Sequence, residues 1–168
     1  MLWLAPALLA SALATTPPGN GGLLSAPDRR VRSTDPRIVE LLEAGMQRSP
    51  TFAGLVKSVS ATDVIVYIER VRELPRSLGG RLLLLPIASS QRYLRIQVRG
   101  DLPRPDLIAL IGHELRHALE IAQEPTVRDN SSMISLFQRI GRSSRETHTF
   151  DTTAAQNAGW RVRQELAG

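Results

Sequence analysis

The stretch Gly112–Glu120, GHELRHALE, carries two histidines four residues apart with a glutamate directly after the first. It lies within a run from Asp101 to about Gln123 whose apolar residues Leu107, Ile108, Leu110, Ile111, Leu115, Ala118, Leu119 and Ala122 recur at helical spacing. Pro103 and Pro105 suit the first turn of such a helix and Pro125 stops it. So broad an apolar surface predicts a long helix buried against a sheet. Positions four apart differ by about 40° around a helix axis, so His113 and His117 project from one face about one turn apart. Imidazoles in that relation can bind one zinc ion at about 2.0–2.1 Å. Glu114 is turned about 100° from His113, which makes it a poor third ligand but lets it reach a water in the ion's open position. His113 and His117 are therefore candidate metal ligands, with Glu114 as candidate general base. The plain alternative is a core helix that happens to carry two histidines.

Working outward, the hydrophobic period changes upstream. Ser33-Thr34-Asp35-Pro36 is a helix-start signal, and Ile38, Leu41, Leu42 and Met46 predict a helix over 36–47. Phe52, Leu55 and Val56 predict a second over 51–58. VIVYIER, 64–70, has the β-branched and aromatic composition of a strand. After Gly79-Gly80, RLLLLPI is apolar on both faces and reads as a buried strand. RYLRIQV alternates Leu94, Ile96 and Val98 against Tyr93, Arg95, Gln97 and Arg99, the pattern of a half-buried strand. These two strands form an expected hairpin. Downstream, Asn130-Ser131-Ser132 can cap a helix over 132–141, and a last helix is expected over 151–166. Helices, a small and mainly antiparallel sheet, then helices again is an α+β order.

The chain's 168 residues suit one domain, 34–168. MLWLAPALLASALA, 1–14, ends in the small-x-small pattern Ala12-Leu13-Ala14 and reads as a secretory signal, although no Lys or Arg precedes its apolar run. An uncleaved anchor is the alternative. Residues 15–33, rich in Pro, Gly, Ser and Thr, read as a flexible tether. A secreted or periplasmic location follows, with no transmembrane helix once the signal is removed. With no cysteine, a core or a bound metal must hold the exported domain together. The net charge of +5 comes from scattered arginines, with Lys57 the single lysine, and aromatics make up only 4%. Without a basic stripe and stacking rings, no nucleic-acid partner is expected.

The GHELRH segment resembles the active-site helix of the zincin metallopeptidases, including the glycine before the first histidine. The strands upstream resemble the zincin layout, in which a small sheet precedes this helix and its edge strand lies beside an extended substrate. The resemblance implies a minimal zincin-like fold and a Zn²⁺-dependent peptidase acting on peptide or protein substrates. Such a site needs a third protein ligand. The metzincin branch would require histidine at 123, where this chain has Gln. In the gluzincin branch the third ligand sits on a later helix, often in an E-x-x-A-D pattern. FDTTAAQNAG, 150–159, resembles that segment with Asp151 in the glutamate's place, Ala154 at the alanine and Ala155 where the aspartate would be. Aspartate as third ligand also occurs in the aspzincin branch. It is one methylene shorter than glutamate, so its helix must come closer. The absent second carboxylate leaves His113 or His117 in need of another orienting partner, for which Glu120 and Asp129 are candidates.

His148 and Glu146 compete with Asp151 for the third position, and His148 could instead donate a hydrogen bond to a tetrahedral oxyanion. Asp151 could also be a helix N-terminal residue favoured by the helix dipole. The expected site is thus His113, His117 and Asp151 on the metal, with Glu114 and His148 catalytic. The strand carrying Tyr93, or its hairpin partner, would pair with the substrate backbone. The rival reading is a non-catalytic exported binding module that keeps the zincin-like fold.

Overall fold

The computed structural model describes residues 30–75, 78–85, 91–144 and 149–168. In chain order they form β1 (Val31–Arg32), α1 (Pro36–Arg48), α2 (Pro50–Ser60), β2 (Val64–Val71), β3 (Gly80–Leu84), β4 (Arg92–Arg99), α3 (Arg104–Ala122), α4 (Asn130–Ile140), β5 (Arg142–Ser144), β6 (Thr149–Asp151) and α5 (Thr153–Ala167). The expected signal segment 1–14 and tether residues 15–29 lie outside the described residues. The end of the expected tether does not behave as one. Val31 and Arg32 pair in parallel with Val66 and Tyr67, and Ser33 Oγ donates to the Ile68 carbonyl at 2.6 Å. A segment with no hydrophobic period of its own is ordered there by the strand beside it.

The fold is α+β, with a four-stranded mixed sheet in the order β1-β2-β4-β3 and a separate β5–β6 hairpin. The expected β3–β4 hairpin is present, antiparallel, with Leu82 opposite Ile96. The sheet is nevertheless not mainly antiparallel, because β1 runs parallel to β2 and β2 parallel to β4. Alternation along a strand reports which face is buried and is silent on direction. Direction follows from the connections: α1 and α2 carry the chain back between β1 and β2, and β3 reverses it before β4. RLLLLPI also differs from its reading. Within β3 only Leu84 is buried, because the strand lies at the sheet edge.

Val64, Val66, Ile68, Leu94, Ile96 and Val98 form one fully buried face, and the helices pack on it through Ile108, Ile111 and Leu115. The first two helices begin where side-chain oxygens of Asp35 and Ser49 accept from Arg37 N and Phe52 N, each followed by proline. Among the described residues, no helix is long and apolar enough to cross a membrane.

Two devices place α3. Arg92, at the inward parity of β4, is 1% exposed and grips Asp63 through Nε and Nη2 at 2.9 and 2.7 Å. Its Nη1 donates to the Ile121 and Glu124 carbonyls at 2.7 and 2.8 Å, and Nη2 to Ala122 at 2.9 Å. A cation thus satisfies the orphan carbonyls at the C-terminus of α3 and ties that end to the sheet. The second device is a close approach of α5. A Cβ at Gly112 would stand 3.0 Å from Val162 Cγ2, and one at Gly159 3.2 Å from His113 Cβ. Both glycines therefore let α3 and α5 meet nearly backbone to backbone.

Candidate metal centre

That close packing brings the N-terminal end of α5, and the β6 residue before it, over the middle of α3. Asp151 is the last residue of β6 rather than the first of the helix, which starts at Thr153 behind the N-cap Thr152. Thr152 Oγ1 accepts from Ala155 N at 3.0 Å, so the threonine does the capping and the Asp151 carboxylate is left to point elsewhere. It points at the histidines. Asp151 Oδ1 lies 3.5 Å from His113 Nε2 and 3.6 Å from His117 Nε2. The two rings stand edge to face, their centroids 4.8 Å apart.

Those distances exceed a good hydrogen bond. They approach the spacing of about 3.3 Å expected between ligands that share one ion tetrahedrally at about 2.0–2.1 Å. Asp151 Oδ2 accepts from Gln156 Nε2 at 2.9 Å, whereas Oδ1 is buried with no hydrogen-bond partner. An orphaned carboxylate oxygen facing two imidazole nitrogens is what a cation would complete. Among the described residues His113, His117 and Asp151 form the group able to hold a metal ion, their ligand atoms lying within 4.8 Å of one another.

The residues around this trio divide the remaining tasks. His117 Nδ1 meets Glu120 Oε2 at 2.9 Å, which leaves Nε2 free to face Asp151. Glu120 Oε1 accepts from Thr152 Oγ1 at 2.8 Å, and Arg116 Nε stands 3.5 Å from it. One buried carboxylate thereby braces a candidate ligand on α3 against the residue next to the candidate ligand on β6. Of the two acids considered for orienting a histidine, Glu120 does so. Asp129 instead caps α4, its Oδ1 accepting from Ser132 N at 2.7 Å. Glu146 and His148 lie outside the described residues.

Glu114 is buried on the flank of the trio, where a Cβ at Gly80 of β3 would come within 3.1 Å of its Oε1. Burial pushes its carboxyl up to about 7, with the His117 charge holding it back and Asp151 adding to the rise. For His117 burial favours the neutral ring, but the Asp151 and Glu120 carboxylates outweigh it and raise the value to about 9. Burial also opposes the Asp151 charge, yet His117, Gln156 and His113 together hold that carboxyl down at about 2. His113 is lowered by burial and by the charge on His117. In the metal-free chain a proton on His117 therefore supplies the positive charge the carboxylates are arranged to meet, and a metal must displace it.

Metal affinity should accordingly strengthen as pH rises toward about 9, the value at which His117 loses its proton unaided. Glu120→Gln should weaken metal binding roughly 10–100-fold by removing the carboxylate that orients this ring. Competition with a chromophoric chelator measures both effects, and an unchanged affinity in Glu120→Gln would show that the brace does not act on the metal.

The expected pairing of substrate with Tyr93's strand is narrowed by the topology. β4 is paired on both sides, whereas β3 is paired only with β4 among the described residues. Arg99 N donates to Gly79 O and Leu85 N to Tyr93 O, both at 2.9 Å. Alternation then turns the N–H and C=O groups of Gly80, Leu82 and Leu84 toward the free edge.

Compared with known proteins, the chain matches no family model, and no curated protein or solved structure is significantly similar to it.

Proposed function

We propose that the chain is an exported zinc metallopeptidase of the zincin type, gluzincin-like with aspartate as third ligand. The observation that carries this reading is the convergence of His113 Nε2, His117 Nε2 and the unpartnered Asp151 Oδ1, with Glu114 buried beside them. Two imidazoles and a carboxylate are a donor set suited to zinc with one position left open. When bound, zinc would lower the pKa of a water from about 15.7 toward 7 and polarise a scissile carbonyl.

The chain's own residues supply the rest. Glu114 takes the water's proton and passes it to the leaving amine. Glu120 holds His117 with Nε2 forward, and Thr152 holds Glu120. The outward peptide groups of Gly80 and Leu82 pair with an extended substrate by strand addition, next to Glu114. His148 is assigned the hydrogen bond to the oxyanion, and residues 1–14 the export.

The test is hydrolysis of an unfolded protein such as casein by the zinc-loaded chain, its loss on chelation and its return with zinc. Because none of the three candidate ligands belongs to the large hydrophobic core, circular dichroism should show the chelated chain still folded. A zinc-loaded chain that cleaves nothing would instead be the non-catalytic binding module, and one that unfolds on chelation would hold a structural metal.

A further inference from the structure

A cleft of about 500 Å³ opens beside the His113, His117 and Asp151 group. Its lining is largely apolar: Leu82 from β3, Leu110 from α3, Met133, Ile134 and Phe137 from α4, and Phe150 from β6. The apolar wall begins at a candidate ligand, since the Phe137 ring stands edge-on to His117 with centroids 5.2 Å apart. Apart from the residues of the metal centre, Arg81 is the one charged side chain on the described lining. Its Nε is committed to Gln97 Oε1 at 2.6 Å.

Folding accounts for most of these apolar groups but not for Ile134. Its neighbours Leu136 and Phe137 are buried, whereas Ile134 remains 43% exposed at the cleft. A β-branched apolar side chain kept at the mouth of an apolar cleft gains its burial only when something apolar enters. A charged side chain entering there would lose hydration, and the acids within reach, Glu114 and Asp151, are already engaged by the chemistry.

Resting on the metallopeptidase reading, we infer that this site selects peptides presenting a large apolar side chain, of leucine, methionine or phenylalanine size, beside the scissile bond. Ile134 and Met133 of α4 set that preference. Gly80 and Leu82 of β3, whose outer edge is unpaired among the described residues, line the same cleft, so an extended peptide paired with them turns alternate side chains into it.

The experiment is calorimetric titration of the zinc-loaded full chain with the N-acetylated hydroxamates of leucine, glycine and aspartate, which report side-chain preference without requiring turnover. The leucine compound should bind at least about tenfold tighter than either of the others, the scale of discrimination an apolar pocket supplies. Ile134→Ser, a neutral change at an exposed position, should erase most of that difference, with zinc affinity measured alongside to report separately on the metal centre. Equal affinities for the three compounds, tighter binding of aspartate, or binding of none of them overturns the inference, as does an Ile134→Ser chain that discriminates like the parent. Discrimination without cleavage of any peptide upholds the cleft and removes the peptidase reading. Cleavage without side-chain preference does the reverse.

Discussion

Glu114→Gln is expected to lower peptide hydrolysis by roughly 10²–10⁴-fold, the contribution of a positioned general base, and to leave zinc bound. Glutamine keeps the size of the buried side chain and its place beside Gly80 but cannot accept the water's proton. Zinc binding by the variant, measured alongside, separates this loss from loss of the site. Unchanged hydrolysis would remove Glu114 from its role. The substitution has a second signature in the metal-free chain. Burial raises the Glu114 carboxyl from 4.5 to about 7. Because the folded value is the higher one, the stability linked to this proton is complete below 4.5 and is lost as pH rises through about 7. Glutamine has no charge to bury, so metal-free Glu114→Gln should be spared that loss. Urea unfolding at about pH 5 and about pH 8 would register the difference. Parallel losses in both chains would mean that another group titrates.

The second large effect is expected at Asp151. Asp151→Asn replaces the anionic oxygen between the two imidazoles with a neutral one, and zinc affinity should fall by more than the roughly 10–100-fold typical of an orienting partner. Hydrolysis should fall with it and recover only as added zinc refills the weakened site. In the metal-free chain the same change removes one of the carboxylates that raise His117 to about 9, so the ring should deprotonate at lower pH, which histidine NMR titration detects. A variant that holds zinc as tightly as the parent would transfer the third-ligand assignment to Glu146 or His148.

Much of the frame is written in local pattern. The five expected helices are all present among the described residues, with ends shifted by at most three residues. α2 begins at Pro50 because Ser49 caps it, and α5 at Thr153 because Thr152 does. The buried face of β4 follows the alternation of its residues, β2 is a strand as its β-branched composition implies, and the expected β3–β4 hairpin is present. Arg92 was legible too, by a signal that is easy to pass over. It shares the parity of Leu94 and Ile96, so alternation puts a guanidinium in the core, where only a carboxylate and a helix end could receive it. The β5–β6 hairpin carried no comparable signal. Its strands are three residues each, too short to show a period.

The metal centre divides along the same line. The relation of His113, Glu114 and His117 is a property of one helix and could be computed from spacing alone, because rise and turn per residue are constant. The approach of Asp151 is not such a property. It depends on α5 packing against Gly112 and His113 across more than forty intervening residues, on Thr152 capping so that its neighbour is free, and on Glu120 joining the two. The sequence by itself determined the five helices, the strands β2, β3 and β4, the buried face of β4 and the two-histidine geometry, since each arises from interactions among residues close in the chain. Strand direction, the grip of Arg92 on the end of α3 and the arrival of a third donor were decided only when separate elements packed, because non-local contacts are chosen by shape and burial across the whole core, which no local period encodes.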